Sequence, residues 1–423
     1  MKDRNTDRRE FLRTAAVVGA FTILKPNIVR GSAANSAVRV GLLGCGRRGS
    51  TDANNIAQST DARIVALADL FPDQLDRAKQ RFDRVAEAKG YSGVARSFVG
   101  PKSAQQMFES KDVDAVVIAT PAYFHPEHLG GAVMGGKHIY LEKPVAVDVA
   151  GAKRVLETGR KIAGRLNLEV GFQIRSAPPF AELVRRIHGG ALGEIAAGQA
   201  HYNAALPEYP EFPNASPQEA RLRNWVRDRA LPGDIIVEQN IHVLDICNWV
   251  LKAPPVKAVA RGGRKGRGPT GGDCYSHFDV TYEYPNDVHV AFSSVQFGKG
   301  QFDVSERFFG TRGLSMSPYS GPLGIDGDEP WMWAGSEKPQ GGAFSASGSF
   351  SDNLAEADSE KQKGFIGAIA SGRFHNQAAQ GVEAVLTAIL GRQAAYTGRE
   401  VTWSEVVGSN EHWDSGIDVN QLA

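Results

Sequence analysis

The sequence predicts an α/β domain built on a doubly wound parallel sheet, followed by an α+β domain built on an open, mainly antiparallel sheet. An apolar run at 38–43 ends in a glycine-rich turn, and apolar segments of strand length then alternate with helical patterns up to about residue 160. Beyond that point strand patterns follow one another without regular helices between them, which is typical of antiparallel sheets. We therefore expect domains at 38–160 and 161–423.

The glycine-rich turn has the G-x-G-x-x-G spacing of a dinucleotide-binding, or Rossmann, fingerprint, with its glycines at Gly44, Gly46 and Gly49. The first glycine permits a tight turn, the second lets the backbone approach a pyrophosphate, and the third lets the helix pack closely on the strand. The pyrophosphate then meets unpaired N–H groups at the start of the helix, where Arg47 and Arg48 add positive charge. The turn is therefore predicted to bind a dinucleotide.

The second predicted strand, residues 63–69, ends in an acidic residue. Asp69 follows the last glycine of the turn by 20 residues, where a carboxylate can accept hydrogen bonds from the adenosine ribose. The adjacent Leu70 and Phe71 offer no cation for a 2′-phosphate, so the predicted cofactor is NAD rather than NADP. The alternative is that Asp69 only opens a turn before Pro72.

Two further predicted strands carry polar residues to the same sheet edge, because the carboxyl ends of parallel strands face the cofactor crevice. Residues 113–119 precede Thr120-Pro121, and residues 137–141 precede Glu142-Lys143-Pro144. Lys143 is placed to bond a substrate hydroxyl and the nicotinamide ribose, or alternatively is a surface lysine paired with Glu142. The cofactor contacts predicted here are Thr120, Pro121, His125, Glu142 and Lys143.

The motifs GLLGCGRRG, Asp69, VVIATPAYFHPEH and GKHIYLEKPVA stand in an order that resembles the Gfo/Idh/MocA family (glucose-fructose oxidoreductase and inositol dehydrogenase) across residues 38–150. The resemblance implies an NAD-dependent oxidoreductase that acts on a sugar, sugar derivative or polyol. It also implies that the sheet of the second domain covers the substrate on one face and forms oligomer contacts on the other, in a homodimer or homotetramer.

The second domain is defined by strand patterns and by two helical segments near its end. The predicted strands are Leu168–Gln173, Ile195–Asn203, Val256–Arg261, His277–Tyr284 and His289–Gln296. Residues 365–369 and 376–393 are predicted helices that contribute to stability. His375-Asn376 between them is a candidate contact to cofactor or substrate.

The segment 232–249 is the candidate chemical centre. On one continuous helix Glu238, His242, Asp245 and Trp249 lie at i, i+4, i+7 and i+11 and share a face. A histidine beside carboxylates can remove a hydroxyl proton as hydride leaves the same carbon, so His242 is the predicted base and Glu238 orients it. The alternative is a buried structural network whose hydrogen bonds are satisfied.

The family resemblance implies the same roles for three residues. Lys143 matches the lysine of the Glu-Lys-Pro motif, Glu238 the family's acid, and His242 its catalytic histidine, with Asp245 binding or orienting. The sequence departs from the family at two positions, since the usual Asp is Glu238 and a glycine is Asn240. Because of the longer acid and the added amide, the resemblance does not identify the substrate.

Other polar residues are candidate substrate contacts. Gln173 and Arg175, together with Gln239 and Asn240, are predicted to reach the pocket, and at most two residues of the run His201-Tyr202-Asn203 can face it because strand side chains alternate. Trp331 and Trp333 either stack on a sugar ring or anchor the long loop around them.

Residues 1–37 are predicted to be a twin-arginine export signal. Arg8-Arg9 precedes a mild apolar stretch at 14–24 and small residues at 31–37, although Asp7 stands where Ser or Thr is more usual. An amphipathic helix is the alternative. Export would place the protein in the periplasm or outside the cell, where free NAD is scarce, so we expect a tightly held cofactor whose redox state is restored within each turnover.

Composition excludes several classes of function. The formal net charge is +1, and beyond residue 37 acidic side chains outnumber basic ones by three, which argues against general binding of nucleic acid or anionic membranes. The basic run 261–267 is rich in glycine and is predicted to be a solvated loop. Three scattered cysteines predict neither a disulfide framework nor a zinc site, and no metal is expected.

Three functions remain open. The first is an NAD-dependent oxidoreductase. The second is a redox-neutral enzyme in which a transient ketone permits glycoside cleavage or sugar modification before it is reduced again. The third is a sensor that binds dinucleotide or sugar without catalysis.

Overall fold

The computed structural model describes residues 37–205, 210–266, 272–296, 302–336 and 352–422. Residues 1–36 of the predicted export signal lie outside the described residues. Within these ranges no helix has both the length and the apolar character needed to span a bilayer.

The first sheet has six parallel strands in the order β3-β2-β1-β4-β5-β6, which confirms the predicted doubly wound sheet. The strand order reverses beside β1, and ligands bind such sheets at the carboxyl ends of the strands flanking the reversal. The strands are β1 (Arg39–Leu43), β2 (Arg63–Asp69), β3 (Arg96–Val99), β4 (Ala115–Ile118), β5 (His138–Leu141) and β6 (Leu168–Val170). The helices are α1 (Arg47–Ser59), α2 (Pro72–Lys89), α3 (Ser103–Glu109), α4 (His125–Met134) and α5 (Val149–Ile162).

One predicted strand belongs to a different sheet from the one we expected. The strand pattern predicts Leu168–Gln173 in the second domain. In the structure, however, β6 pairs in parallel with β5, with Leu168 opposite Ile139. All three residues of β6 are buried, as expected for a strand covered on both faces. The chain then forms a 3-10 turn at Gln173–Ser176.

The second sheet has nine strands in the order β14-β13-β12-β11-β7-β10-β9-β8-β15, and every neighbouring pair is antiparallel except β7 with β10. The prediction of a mainly antiparallel sheet is therefore confirmed. The strands are β7 (Ile195–Asn203), β8 (Lys257–Gly263), β9 (His277–Tyr284), β10 (Val288–Val295), β11 (Asp303–Gly310), β12 (Gly313–Pro318), β13 (Gly324–Gly327), β14 (Trp331–Met332) and β15 (Val401–Thr402).

The later helices join the two sheets. They are α6 (Pro178–His188), α7 (Pro217–Arg223), α8 (Ile235–Glu238), α9 (Ile241–Leu251), α10 (Ala357–Ser371), α11 (Ala378–Thr397) and α12 (Trp403–Gly408). Gln362 of α10 donates a hydrogen bond to Asp52 of α1 at 3.0 Å. Arg392 of α11 is fully buried and donates to the carbonyl oxygens of Val147 and Gly233, both at 2.8 Å. One apolar core runs from the first sheet into the second.

Candidate active site

A cleft of about 900 Å³ lies at the carboxyl ends of β1, β2 and β4. Its size is at the upper end of the range for small-molecule sites, as a dinucleotide requires. Six of the predicted cofactor-binding residues line it: Gly44, Gly46, Arg47, Asp69, Thr120 and Pro121.

The three glycines of the turn have different surroundings. Gly44 has a φ of +91°, and a Cβ there would lie 2.6 Å from the carbonyl oxygen of Ala119. A Cβ at Gly49 would lie 2.2 Å from the carbonyl oxygen of Gly44, so only glycine permits α1 to approach the turn this closely. A Cβ at Gly46 would meet nothing within 4 Å, and no side chain caps α1 there. This open N-terminus fits a pyrophosphate.

Asp69 is buried at the edge of the cleft and braces the turn. One carboxylate oxygen accepts a hydrogen bond from the Cys45 N–H at 2.7 Å and the other from the Phe71 N–H at 2.9 Å. Burial raises the pKa of Asp69, and these two bonds oppose that shift. Each oxygen keeps a second lone pair, so the carboxylate can hold the turn and still accept a ribose hydroxyl.

The two arginines of the turn have different surroundings. Arg47 is exposed and lines the cleft. Arg48 departs from the prediction, because its guanidinium pairs with Glu142 at 3.0 Å, Asp358 at 2.7 Å and Asp52 at 3.1 Å. Burial raises the pKa of Asp52 well above its usual range; Arg48 opposes this and the other two carboxylates add to it.

Glu142 also departs from its predicted contact with the cofactor. Besides Arg48 it bonds the Lys143 N–H at 3.0 Å, and a Cβ at Gly171 would lie 2.4 Å from its carboxylate. It is buried, and it is not among the residues that line the described cleft. Glu142 therefore positions the strand end that carries Lys143.

His125 has a similar supporting position. The ring is buried, with Nδ1 2.7 Å from the carbonyl oxygen of Pro144 and Nε2 2.8 Å from that of Thr120. It thus ties together the segments that follow β4 and β5 and does not line the described cleft, contrary to the prediction. His128, which sequence reasoning missed, lines the cleft and lies 3.0 Å from the Thr120 hydroxyl.

Lys143 and Glu238 form an ion pair in which Nζ lies 2.9 Å from Oε1, and Nζ also donates to the backbone oxygen of Glu238. Both side chains are mostly buried. The carboxylate of Glu238 is therefore committed to Lys143, and the predicted role of Glu238 in orienting His242 is not what the structure shows. The pair brings the ends of β5 and α8 together, which no local pattern indicates.

The predicted continuous helix through 238–249 is wrong. Helix α8 ends at Glu238 and α9 begins at Ile241, with both Gln239 and Asn240 donating their N–H groups to the carbonyl oxygen of Ile235. This wider turn interrupts the i→i−4 ladder, so Glu238 and His242 no longer share a face.

His242 is buried, with 5% of the residue exposed, and its ring packs edge-on against Phe172 with centroids 6.2 Å apart. Its Nδ1 atom has no hydrogen-bond partner among the described residues. Burial, followed by the charges of Lys143 and Arg48, lowers the pKa of His242 well below its usual value. The neutral form of the imidazole is therefore favoured, which leaves one ring nitrogen without a proton.

Arg175 and Asp245 pair with each other. The guanidinium donates to the two carboxylate oxygens at 2.7 and 2.8 Å and lies 5.2 Å from the ring centroid of Trp249. Asp245 and the neighbouring Gln173 are buried. This bidentate pair has a fixed geometry and a balanced net charge.

Several side-chain amides have buried polar atoms without a hydrogen-bond partner among the described residues. Asn240 has no exposed surface, and neither its Oδ1 nor its Nδ2 has a partner in the described residues. The same is true of Oε1 of Gln239, both amide atoms of Gln296 and Oδ1 of Asn203. An unpaired buried polar group costs about 1–3 kcal/mol, so these amides suit a ligand or water that bonds them.

Other candidates have partners of their own. His201 bonds Ser293 at 2.8 Å, and Asn376 donates to the Gly159 carbonyl oxygen at 2.7 Å. His375 pairs with Glu169. Trp331 and Trp333 line a separate shallow groove beside α6 and pack edge-to-face, with centroids 6.3 Å apart.

The chain is similar to known proteins over most of its described length. A model of an oxidoreductase family with an NAD-binding Rossmann fold, Gfo/Idh/MocA, matches residues 38–170, and a model of the C-terminal domain of the same family matches residues 180–315. Together the two matches span more than half of the chain.

Two relatives are inositol 2-dehydrogenases. That of Saccharopolyspora erythraea is 38% identical over 175 residues, which are 41% of this chain and 48% of that enzyme, so the match spans about half of the relative. That of Acidothermus cellulolyticus is 28% identical over 302 residues, which are 70% of this chain and 78% of the enzyme.

Solved structures share the fold. A levoglucosan dehydrogenase in complex with NADH and levoglucosan has a TM-score of 0.67 and 19% sequence identity, with 86% of this chain and 99% of the other covered. At this identity the likeness concerns the fold.

Proposed function

The chain belongs to the Gfo/Idh/MocA family of oxidoreductases, and from this premise we propose that it is an NAD-dependent enzyme acting on a secondary hydroxyl of a sugar, sugar derivative or polyol. One observation carries the proposal. A buried histidine whose Nδ1 has no partner among the described residues lies four residues beyond Glu238, which pairs with a lysine at the carboxyl end of β5. A sensor needs no such proton acceptor.

The roles of the side chains follow from their contacts. Neutral His242 accepts the hydroxyl proton, while Lys143 donates a hydrogen bond to the same oxygen and stabilises the negative charge that develops there. Glu238 holds Lys143 in place through the ion pair. When bound, NAD supplies the two-electron acceptor for the carbon–hydrogen bond of the alcohol.

A hydroxyl-rich substrate is supported by the buried amides. Asn240, Gln239 and Gln296 offer donors and acceptors without partners in the described part of the chain, and Arg175 with Asp245 adds a charged pair nearby along α9. Two of the relatives are named for inositol, which is a polyol. Asn240 stands where the family pattern has glycine, so its amide is expected to select among such substrates.

We also propose that the chain is exported by its twin-arginine segment and works in the periplasm or outside the cell as a homo-oligomer. Large apolar side chains on the outer face of the second sheet, Val259, Val295 and Phe309, support an interface between copies. The redox-neutral cycle remains the alternative for an enzyme that works where free NAD is scarce.

A panel experiment tests the proposal. The purified protein is incubated with aldoses, inositols and glycosides while nicotinamide absorbance and products are followed together. Net oxidation raises the absorbance in step with product. Product without a change in absorbance indicates the redox-neutral cycle, and binding without any product would contradict an enzymatic function. Lys143→Ala and His242→Ala lower turnover at least tenfold if the chain is an enzyme and leave ligand binding intact if it is a sensor.

A further inference from the structure

The outer wall of the dinucleotide cleft comes from the second half of the chain. Across from Asp69 and Phe71 the cleft is lined by Leu222 and Arg223 of α7, by Trp225, and by Val419-Asn420 near the C-terminus. We call residues 217–225 together with 419–420 the cover. No sequence motif points to it, because its parts lie about 150 and 350 residues from Asp69.

Arg223 fastens the cover to the first sheet. Its guanidinium donates to Asp73 at 2.9 Å and lies 3.9 Å from the ring centroid of Phe71, so it grips the segment that directly follows Asp69. The side chain is only 12% exposed. Glu219 of the same helix holds the guanidinium from the other side at 2.7 Å.

The C-terminal part of the cover rests on α7. Arg221 donates to the carbonyl oxygen of Ser415 at 2.8 Å, and Gln218 accepts a hydrogen bond from the Asp418 N–H at 3.1 Å. Six residues beyond residue 225, the Leu231 oxygen accepts a backbone hydrogen bond from the Tyr123 N–H at 3.0 Å. The two parts of the cover are therefore tied to each other and, through Arg223, to the segment that follows β2.

We propose that the cover completes the cofactor site and slows release of the dinucleotide, with Arg223 as the positioning residue that keeps it closed. This inference rests on the proposed function, since it takes NAD as the cofactor. Release of the dinucleotide past this wall requires the cover to separate from Phe71 and Asp73, which breaks a cation–π contact and the ion pair between the mostly buried guanidinium and a half-exposed carboxylate at once. Because Asp73 and Glu219 neutralise Arg223, the guanidinium is not a free cation for a 2′-phosphate.

The test compares Arg223→Ala with Arg77→Ala. Arg77 pairs with the same Asp73 at 2.7 Å, but it belongs to α2 and is 67% exposed, so it controls for loss of a charge on that carboxylate. Full-length protein is loaded with NADH and mixed with excess NAD, and the decay of nicotinamide fluorescence gives the dissociation rate constant. We expect dissociation at least tenfold faster in Arg223→Ala, and within twofold of the native rate in Arg77→Ala.

A truncation after Asp418 gives a second reading that does not depend on the folding of Arg223→Ala. It removes the C-terminal part of the cover and is expected to accelerate dissociation severalfold. Equal rates in native, Arg223→Ala and truncated protein would overturn the proposal, as would equal acceleration by Arg77→Ala. The measurement needs no substrate, so failure of the cover is distinct from failure of the proposed function, which would appear as no turnover with NADH binding intact.

Discussion

Asp69 and Asn240 are both buried polar side chains at the candidate site, but the protein satisfies only the first. Asp69 accepts hydrogen bonds from Cys45 and Phe71, and in the same half of the site Arg48 is bonded by three carboxylates. Asn240 lacks a partner for either amide atom within the described residues. The cofactor half is thus braced by the chain itself, and the substrate half keeps bonding capacity for a ligand.

Two histidines show the same difference. Both ring nitrogens of His125 lie within hydrogen-bond distance of carbonyl oxygens, those of Pro144 and Thr120, so the ring braces two strand ends. His242 is also buried, but its Nδ1 has no partner in the part of the chain that the structure describes. A general base needs a ring nitrogen without a partner, so of these two histidines only His242 has the arrangement that the proposed proton transfer requires.

The largest expected effect tests the substrate half. His242→Ala removes the proton acceptor, so turnover is expected to fall by about 10²–10⁴-fold, the usual contribution of general-base catalysis. NADH binding, measured by fluorescence titration, should not change. His289→Ala, which removes a half-exposed histidine on β10, is the matched control and should keep native turnover. A loss of less than tenfold in His242→Ala would assign the proton transfer to another group.

The next prediction, with a slightly smaller expected effect, tests how far the Arg48 ion pairs stabilise the cofactor half. Arg48→Ala leaves Asp52, Glu142 and Asp358 without their shared cation, and removing one partner of a buried ion pair typically costs about 3–5 kcal/mol. We expect the free energy of unfolding in urea to fall by that amount. Arg185→Ala, which breaks an exposed pair on α6, should cost less than about 1 kcal/mol. Similar losses in the two variants would remove the distinction between a braced cluster and a surface pair.

Asn240→Ala should lower catalytic efficiency without lowering the stability of the protein. Loss of its amide is expected to lower kcat/KM for the preferred substrate by roughly 10–100-fold, as expected when a buried bond worth about 1–3 kcal/mol is lost. The free energy of unfolding should stay the same or rise, because an unpaired buried amide has been removed. Steady-state kinetics and urea unfolding on the same preparation check both parts. A variant that loses stability with unchanged kinetics would make Asn240 a structural residue.

Local patterns predicted the parts of the site that lie at strand ends. Gly44, Asp69 and Lys143 each follow a buried apolar run, and the topology of a parallel sheet brings such residues to one edge. Contacts between distant segments could not be predicted in this way. Arg48 meets a carboxylate 310 residues away in Asp358, and the cover depends on Arg223 reaching Asp73 across 150 residues.

Helical spacing alone also could not predict the ion pair between Lys143 and Glu238. Counting residues placed Glu238 and His242 on one face, but this assumed an unbroken helix. The wide turn at Gln239-Asn240 separates them, and the nearby Lys143 takes the carboxylate. A pattern of positions describes one element at a time, whereas an ion pair depends on which cation the tertiary structure brings closest.

The smallest expected effect concerns pH. Burial and the charges of Lys143 and Arg48 lower the pKa of His242 in the folded protein, so its basic form stays populated well below pH 6.5. We expect kcat/KM to change by less than about twofold between pH 7.5 and 6.0 on account of this group, whereas a histidine with an ordinary pKa would be mostly protonated at pH 6.0. Glu238→Gln provides the comparison, because it leaves the charge of Lys143 uncompensated and should extend the flat region further toward acid. A native profile that falls steeply below pH 6.5, in a protein that still binds NADH, would show that the ring is as accessible to protons as a surface histidine.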